Sequence, residues 1–186
     1  MRLAIRKYGD PILRAKGKRV EEVDEDIRTL AANMLETMHA ANGIGLAAQQ
    51  VGHAVQLTVL DVSQVEDRPS AMKLNGEPVA NLETAMPLVV LNPVLRLGEA
   101  TELGSEGCLS FPEISADIER SISVELEADT LDGDQLRIEA SGLLARALQH
   151  EVDHLNGILF IDRMSSAAKA SHGSRLKKLQ KETAKL

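Results

Sequence analysis

A chain of 186 residues with a net charge of −7, 44% hydrophobic residues and only 2% aromatic ones fits a single domain whose core is built from Leu, Ile, Val, Met and Ala. The acidic balance argues against general or specific DNA binding, and the scarcity of rings argues against base stacking on single strands. No apolar run reaches the length of a membrane span, Met1 to Lys7 lack the apolar segment of a signal peptide, and one cysteine makes no internal disulfide, so a reducing, cytoplasmic setting is expected.

In chain order, residues 1–23 are punctuated by Gly9-Asp10-Pro11 and read as an irregular segment. Asp24 is placed to cap a helix running to about Ala41: Ile27, Leu30, Ala31, Met34, Leu35 and Met38 recur at helical spacing, and Asn42-Gly43 ends the pattern. A glycine-punctuated stretch follows, then a strand over Val55 to Val62. Residues 63–85 are polar and contain Asn75-Gly76, a dipeptide typical of tight hairpin turns, and are expected to form a surface excursion, with a small hairpin as its alternative, and to carry no functional signal. Leu88 to Leu91, closed by Asn92-Pro93, and Val94 to Leu97 read as strand. Ile122, Val124 and Leu126 alternate with polar residues as a half-buried strand does, and Asp132-Gly133 turns the chain into a partner over Gln135 to Glu139. Ser141 is expected to cap a second helix to about Asn156, with Gly157 as its stop, and a last helix starts near Ser165 or Ser166. The pattern is α+β: a compact single domain, 1–186, of largely antiparallel strands around the buried helix of 141–156, with a basic C-terminal helix over 165–186.

The strongest chemical signal is His150-Glu151-Val152-Asp153-His154. Residues four apart share a helix face, so the two imidazoles converge on one ion, while Glu151 lies one step round, within reach of a water on it. Leu143, Leu144, Ala147 and Leu148 mark the helix as buried, where imidazoles need partners. Two protein ligands are too few for a catalytic site of this kind. Downstream, His172 and Glu182 sit in a polar, basic tail. Upstream, Glu106-Gly107-Cys108-Leu109-Ser110 holds the only thiol between residues that allow close approach, and its thiolate completes a Cys-His-His set. A small buried hydrophobe is the ordinary fate of a free cysteine. Cysteine-protease chemistry is a rival, but it leaves the paired histidines and Glu151 without a shared purpose. His39 and His53 lack ligand spacing and read as structural or surface residues, and Arg146 reads as an ion-pairing residue.

Three segments, in order, resemble the motifs of the peptide deformylase family: Gly43-Ile44-Gly45-Leu46-Ala47-Ala48-Gln49-Gln50, Glu106 to Ser110, and Gln149 to His154. Tyr8 to Pro11 and Leu155-Asn156-Gly157 add to a likeness that covers roughly residues 3–163. The resemblance implies a compact α+β fold and one divalent metal ion, Fe²⁺ in the physiological state, with Zn²⁺, Ni²⁺ or Co²⁺ as substitutes. It implies Cys108, His150 and His154 as ligands and Glu151 as general acid and base. Gln50 and the Leu109 N–H would hold an oxyanion, and Ile44, Gly45 and Leu143 would contact substrate. The implied reaction removes the N-formyl group from the N-terminal formylmethionine of new polypeptides and releases formate. Ser115 departs from the pattern, standing where the family often carries Arg. A basic C-terminal helix implies docking on the ribosome, and Lys169, Arg175, Lys177, Lys178, Lys181 and Lys185 supply such a charge, which equally suits a solvated helix face. The rival readings are a zinc-type metallopeptidase using the same helix and a metal-binding or ribosome-interacting module with a vestigial site.

Overall fold

A computed structural model describes all residues, Met1 to Leu186. Helix α1 (Glu25–Ala40) starts where Asp24 accepts the Ile27 N–H, and it buries Leu30, Ala31, Met34 and Met38. The strands are β1 (Gly45–Ala47), β2 (Leu57–Leu60), β3 (Ser70–Leu74), β4 (Glu77–Pro78), β5 (Leu88–Leu97), β6 (Thr101–Cys108), β7 (Phe111–Ser121), β8 (Ser123–Asp129) and β9 (Gln135–Gly142). Helices α2 (Leu143–Leu155) and α3 (Ser166–Thr183) complete the order. No helix is long and apolar enough to cross a membrane.

Seven strands form one antiparallel sheet in the order β1-β2-β5-β8-β9-β3-β4, and β6 and β7 form a separate hairpin. Helix α2 is buried along nearly its whole length, and Leu143, Leu144, Ala147 and Leu148 pack with sheet residues such as Leu126 and Ile138. A helix covered on every side reads as apolar on most faces, so its polar residues need internal partners. The first and last strands of the sheet are edges, and β6 and β7 each keep one free edge.

Several expectations need correction. Ser141 does not cap α2. It lies in β9, paired with Ala71 and Ser123, and the helix begins two residues later at Leu143. The Pro69 carbonyl takes the Leu143 N–H at 3.2 Å and the Ser70 hydroxyl takes the Leu144 N–H at 2.8 Å, so the chain of residues 63–85 caps the helix. That excursion is therefore part of the main sheet, with Asn75-Gly76 at the β3–β4 turn. Gly142, at φ +70° and ψ −142°, joins strand to helix without a loop, in a region only glycine occupies readily, and a Cβ there would strike the Pro69 carbonyl. Ile122 is not on the buried face of a strand but sits 39% exposed between β7 and β8.

The long β6–β7 hairpin was not foreseen. Its inward residues, Phe111, Ile114 and Ile118, form a third core cluster with Leu159, Phe160 and Leu176. The chain's aromatic residues all meet there: Tyr8 stacks on Phe111 at 4.9 Å, and Phe160 meets Phe111 edge-on at 5.1 Å. At the hairpin's end the pairing jumps from Gly107–Ser115 to Cys108–Phe111. Bulges of this kind re-aim a side chain, and this one stands at Cys108.

Candidate metal centre

Helix α2 carries His150 and His154 on the face that meets the hairpin end, as the four-residue spacing requires. Their Nε2 atoms are 3.2 Å apart, and Cys108 Sγ lies 3.4 Å from His154 Nε2. The three ligand atoms all fall within 4.8 Å of one another. A tetrahedral ion with the usual bond lengths separates two nitrogens by about 3.3 Å and a sulfur and a nitrogen by about 3.6 Å. The spacing fits one shared ion.

Behind His150 stands a buried carboxylate. Glu106 Oε2 accepts from His150 Nδ1 at 2.9 Å, which leaves Nε2 facing the site. Glu106 is itself gripped by Arg120, at 2.7 and 3.0 Å, and by Arg146 at 3.1 Å. Burial alone would raise this carboxyl's pKa, but the hydrogen bonds from His150 and Arg120 bring it down to about 2. Arg120 also donates to Asp153 at 2.6 Å, and Arg163 does so at 2.5 and 2.7 Å. Burial disfavours charge on His150, yet its hydrogen bonds to Cys108 and Glu106 raise its pKa well above the ordinary value, while burial and the neighbouring His150 hold His154 well below it. The buried Nδ1 of His154 has no hydrogen-bond partner, and the polar contacts of that ring are made through Nε2, to His150 and Cys108.

Glu151 is buried with Thr58 Oγ1 3.5 Å from its Oε2, and desolvation pushes its pKa up to about 7 against the opposing effect of His150. A carboxyl poised there exchanges protons near neutrality. The residue faces Gly45, whose missing Cβ leaves it room. Gln50 is not an exposed loop residue: it is 1% exposed. Its Oε1 accepts from the Ala47 N–H at 2.9 Å, which turns Nε2 towards Cys108 Sγ at 3.4 Å and Ser110 Oγ at 3.1 Å. Leu109 follows in the two-residue turn of the hairpin, its carbonyl held by Lys7 Nζ at 2.7 Å and its side chain against Gly43.

A cavity of about 640 Å³ opens on these groups, lined among others by Ile44, Gly45, Gln50, Cys108, Leu143 and Glu151. All the site residues expected from sequence thus gather at one place. Three roles went unread there: Glu106 as the partner of His150, Arg120 as its anchor, and Lys7 and Arg68 as cations of the cavity wall. Arg120 had a usable signal, since it shares the inward face of β7 with Ile118, and an inward arginine demands a carboxylate. His39 and His53 are exposed, with His39 paired to Asp61 at 2.9 Å, and Arg146 is an ion-pairing residue as expected.

Residues 2–170 match the profile of a family described as polypeptide deformylase. Over 174 residues the chain is 42% identical to a peptide deformylase of Methylacidiphilum infernorum, covering 94% of this chain and 90% of that one. It is similar to the crystal structure of a plant peptide deformylase at a TM-score of 0.83 and 39% identity, covering 97% and 90% of the two chains. Against the peptide deformylase of Thermotoga maritima the TM-score is 0.75 at 38% identity, covering 89% and 99%.

Proposed function

The chain belongs to the polypeptide deformylase family, and from that premise we propose how its residues divide the work of a metal-dependent hydrolase that removes the N-formyl group from nascent polypeptides. Cys108, His150 and His154 would hold one divalent ion, and the observation that carries this reading is their convergence, with contacts of 3.2 and 3.4 Å. When bound, such an ion, Fe²⁺ physiologically and Zn²⁺, Ni²⁺ or Co²⁺ as substitutes, would supply Lewis acidity towards the formyl carbonyl and would lower the pKa of the attacking water.

The remaining chemistry falls to the protein. Glu151 takes the proton of the attacking water and returns it to the departing amine nitrogen, a task suited to its pKa near 7. The amide of Gln50, fixed by Ala47, and the N–H of Leu109 donate to the oxygen that gains charge, and one such donor is worth about 3 kcal/mol. Ile44, Gly45 and Leu143 border the substrate, an extended chain whose methionine enters the apolar part of the cavity.

The 186 residues act as one catalytic unit in the cytoplasm, without specific contact to DNA. Helix α3 docks on the ribosome; in support, Lys169, Arg175, Lys177, Lys178, Lys181 and Lys185 are all exposed while Leu176 anchors the helix. The central test is anaerobic formate release from formyl-Met-Ala, with metal content measured on the same sample, for wild type and Cys108→Ala. Loss of both metal and turnover in the variant supports the assignment. A variant that keeps both removes Cys108 from the ligand set.

A further inference from the structure

Every arginine of the chain but one has a partner. Arg2, Arg6, Arg14, Arg19, Arg28, Arg96, Arg120, Arg137, Arg146 and Arg163 pair with carboxylates, and Arg175 with the Glu113 carbonyl. Arg68 makes neither an ion pair nor a hydrogen bond, though it is half-buried and lines the cavity above Glu151. The other two cations of that wall are engaged: Lys7 holds the Leu109 carbonyl, and Arg146 holds Glu106 and the Ile118 carbonyl.

Arg68 is also not carried on a loose loop. On one side Val65 packs with Ile44 against the main core. On the other, the Pro69 carbonyl takes the Leu143 N–H and Ser70 pairs with Gly142. Its backbone is thus tied through Pro69 to Leu143, which borders the substrate. The cavity runs between two free strand edges, β1 at Gly45 and β6 at Ser105 to Gly107. An extended peptide laid between such edges satisfies part of its main chain there, and its carbonyls beyond the edges need donors. A guanidinium offers up to five.

Resting on the deformylase reading, we infer that Arg68 is a substrate-binding residue that donates to main-chain carbonyl oxygens of the residues after the formylmethionine. It tells a polypeptide from a single formylated amino acid. Ser115, exposed in the lining of the same cavity, offers no competing cation.

The test compares wild type, Arg68→Ala and Arg68→Lys on two amide-capped substrates, formyl-Met-NH₂ and formyl-Met-Ala-Ala-Ser-NH₂, with metal content and thermal melting as controls. Wild-type formate release checks the deformylase reading on its own. For the longer peptide, R68A should raise KM by about tenfold at nearly constant kcat, the scale of one charged hydrogen bond. R68K should recover part of that loss, and the short substrate should change by less than about twofold. An equal change on both substrates, or no change on the longer one, overturns the inference. So does a loss confined to a third substrate, the free acid formyl-Met-Ala-Ala-Ser, because a nascent chain presents no carboxylate at that position.

Discussion

Gly45 and Glu151 contend for one volume: a Cβ placed on the glycine would overlap the carboxylate and come within 2.9 Å of its Cγ. The glycine of β1 is therefore a requirement of the acid on α2, independent of any backbone freedom. Gly45→Ala should push the carboxylate off its position and lower kcat by about a hundredfold, the usual cost of a misplacement near 1 Å. Metal content should stay at the wild-type level, since the three ligands lie off this contact. Steady-state formate release with metal analysis on the same sample checks both.

Glu151→Gln separates catalysis from folding. Loss of the proton-transferring group should lower kcat by about 10²–10⁴-fold with metal retained. Stability should move the other way. The native pKa of about 7 lies above the ordinary 4.5, so in the metal-free protein ionising Glu151 costs nothing below pH 4.5 and penalises the folded state increasingly as pH rises through 7. The amide removes that penalty, worth up to about 3 kcal/mol, so the metal-free variant should melt higher than wild type at pH 8 and equally at pH 4. Thermal melts at the two pH values decide it.

Glu106 behaves in the opposite sense. Its native pKa of about 2 is below 4.5, so its contribution is fully present above pH 4.5 and disappears as pH falls towards 2. Glu106→Gln should flatten the acid side of the stability profile. It should also weaken metal binding by about 10–100-fold, because the proton partner of His150 loses its charge. Chelator competition and acid titration followed by circular dichroism measure the two effects.

The basic face of α3 is best tested by charge, because removing the helix would also strip Leu176 from the cluster that holds Phe111 and Phe160. Replacing Lys177, Lys178 and Lys181 with Glu leaves that contact in place. Ribosome co-sedimentation should weaken at least about tenfold at low salt and lose most of its salt dependence, while turnover of formyl-Met-Ala is unchanged. Undiminished co-sedimentation would retire the docking proposal.

Much of this was legible in the chain and some was not, for reasons tied to particular residues. Helix α1 was visible because Asp24 and the spacing of Leu30, Met34 and Met38 agree with each other. The ion-binding face of α2 was visible because helical spacing is a local property. The start of α2 was misjudged because Ser141 looks like a cap, while the real caps, Pro69 and Ser70, are more than seventy residues away. The β6–β7 hairpin was missed because Gly104 and Gly107 break its alternation, and Gly104 answers to a neighbour in space: a Cβ there would meet the Arg146 guanidinium at 2.8 Å. Beyond the Asn75-Gly76 turn, residues 63–85 carried no readable functional signal, because the value of Arg68 depends on what the fold brings into the same cavity.

The two sources of ligand belong to different pieces of the architecture. The imidazoles ride on α2, which is seated in the seven-stranded sheet, and the sulfur rides on a hairpin that shares no strand with it. Besides its chemical duty, a captured ion is therefore a removable rivet between two bodies, adding its binding free energy to the ion pairs of Arg120 and Arg146 that already span the seam. Starving this protein of metal would loosen its architecture as well as silence its chemistry.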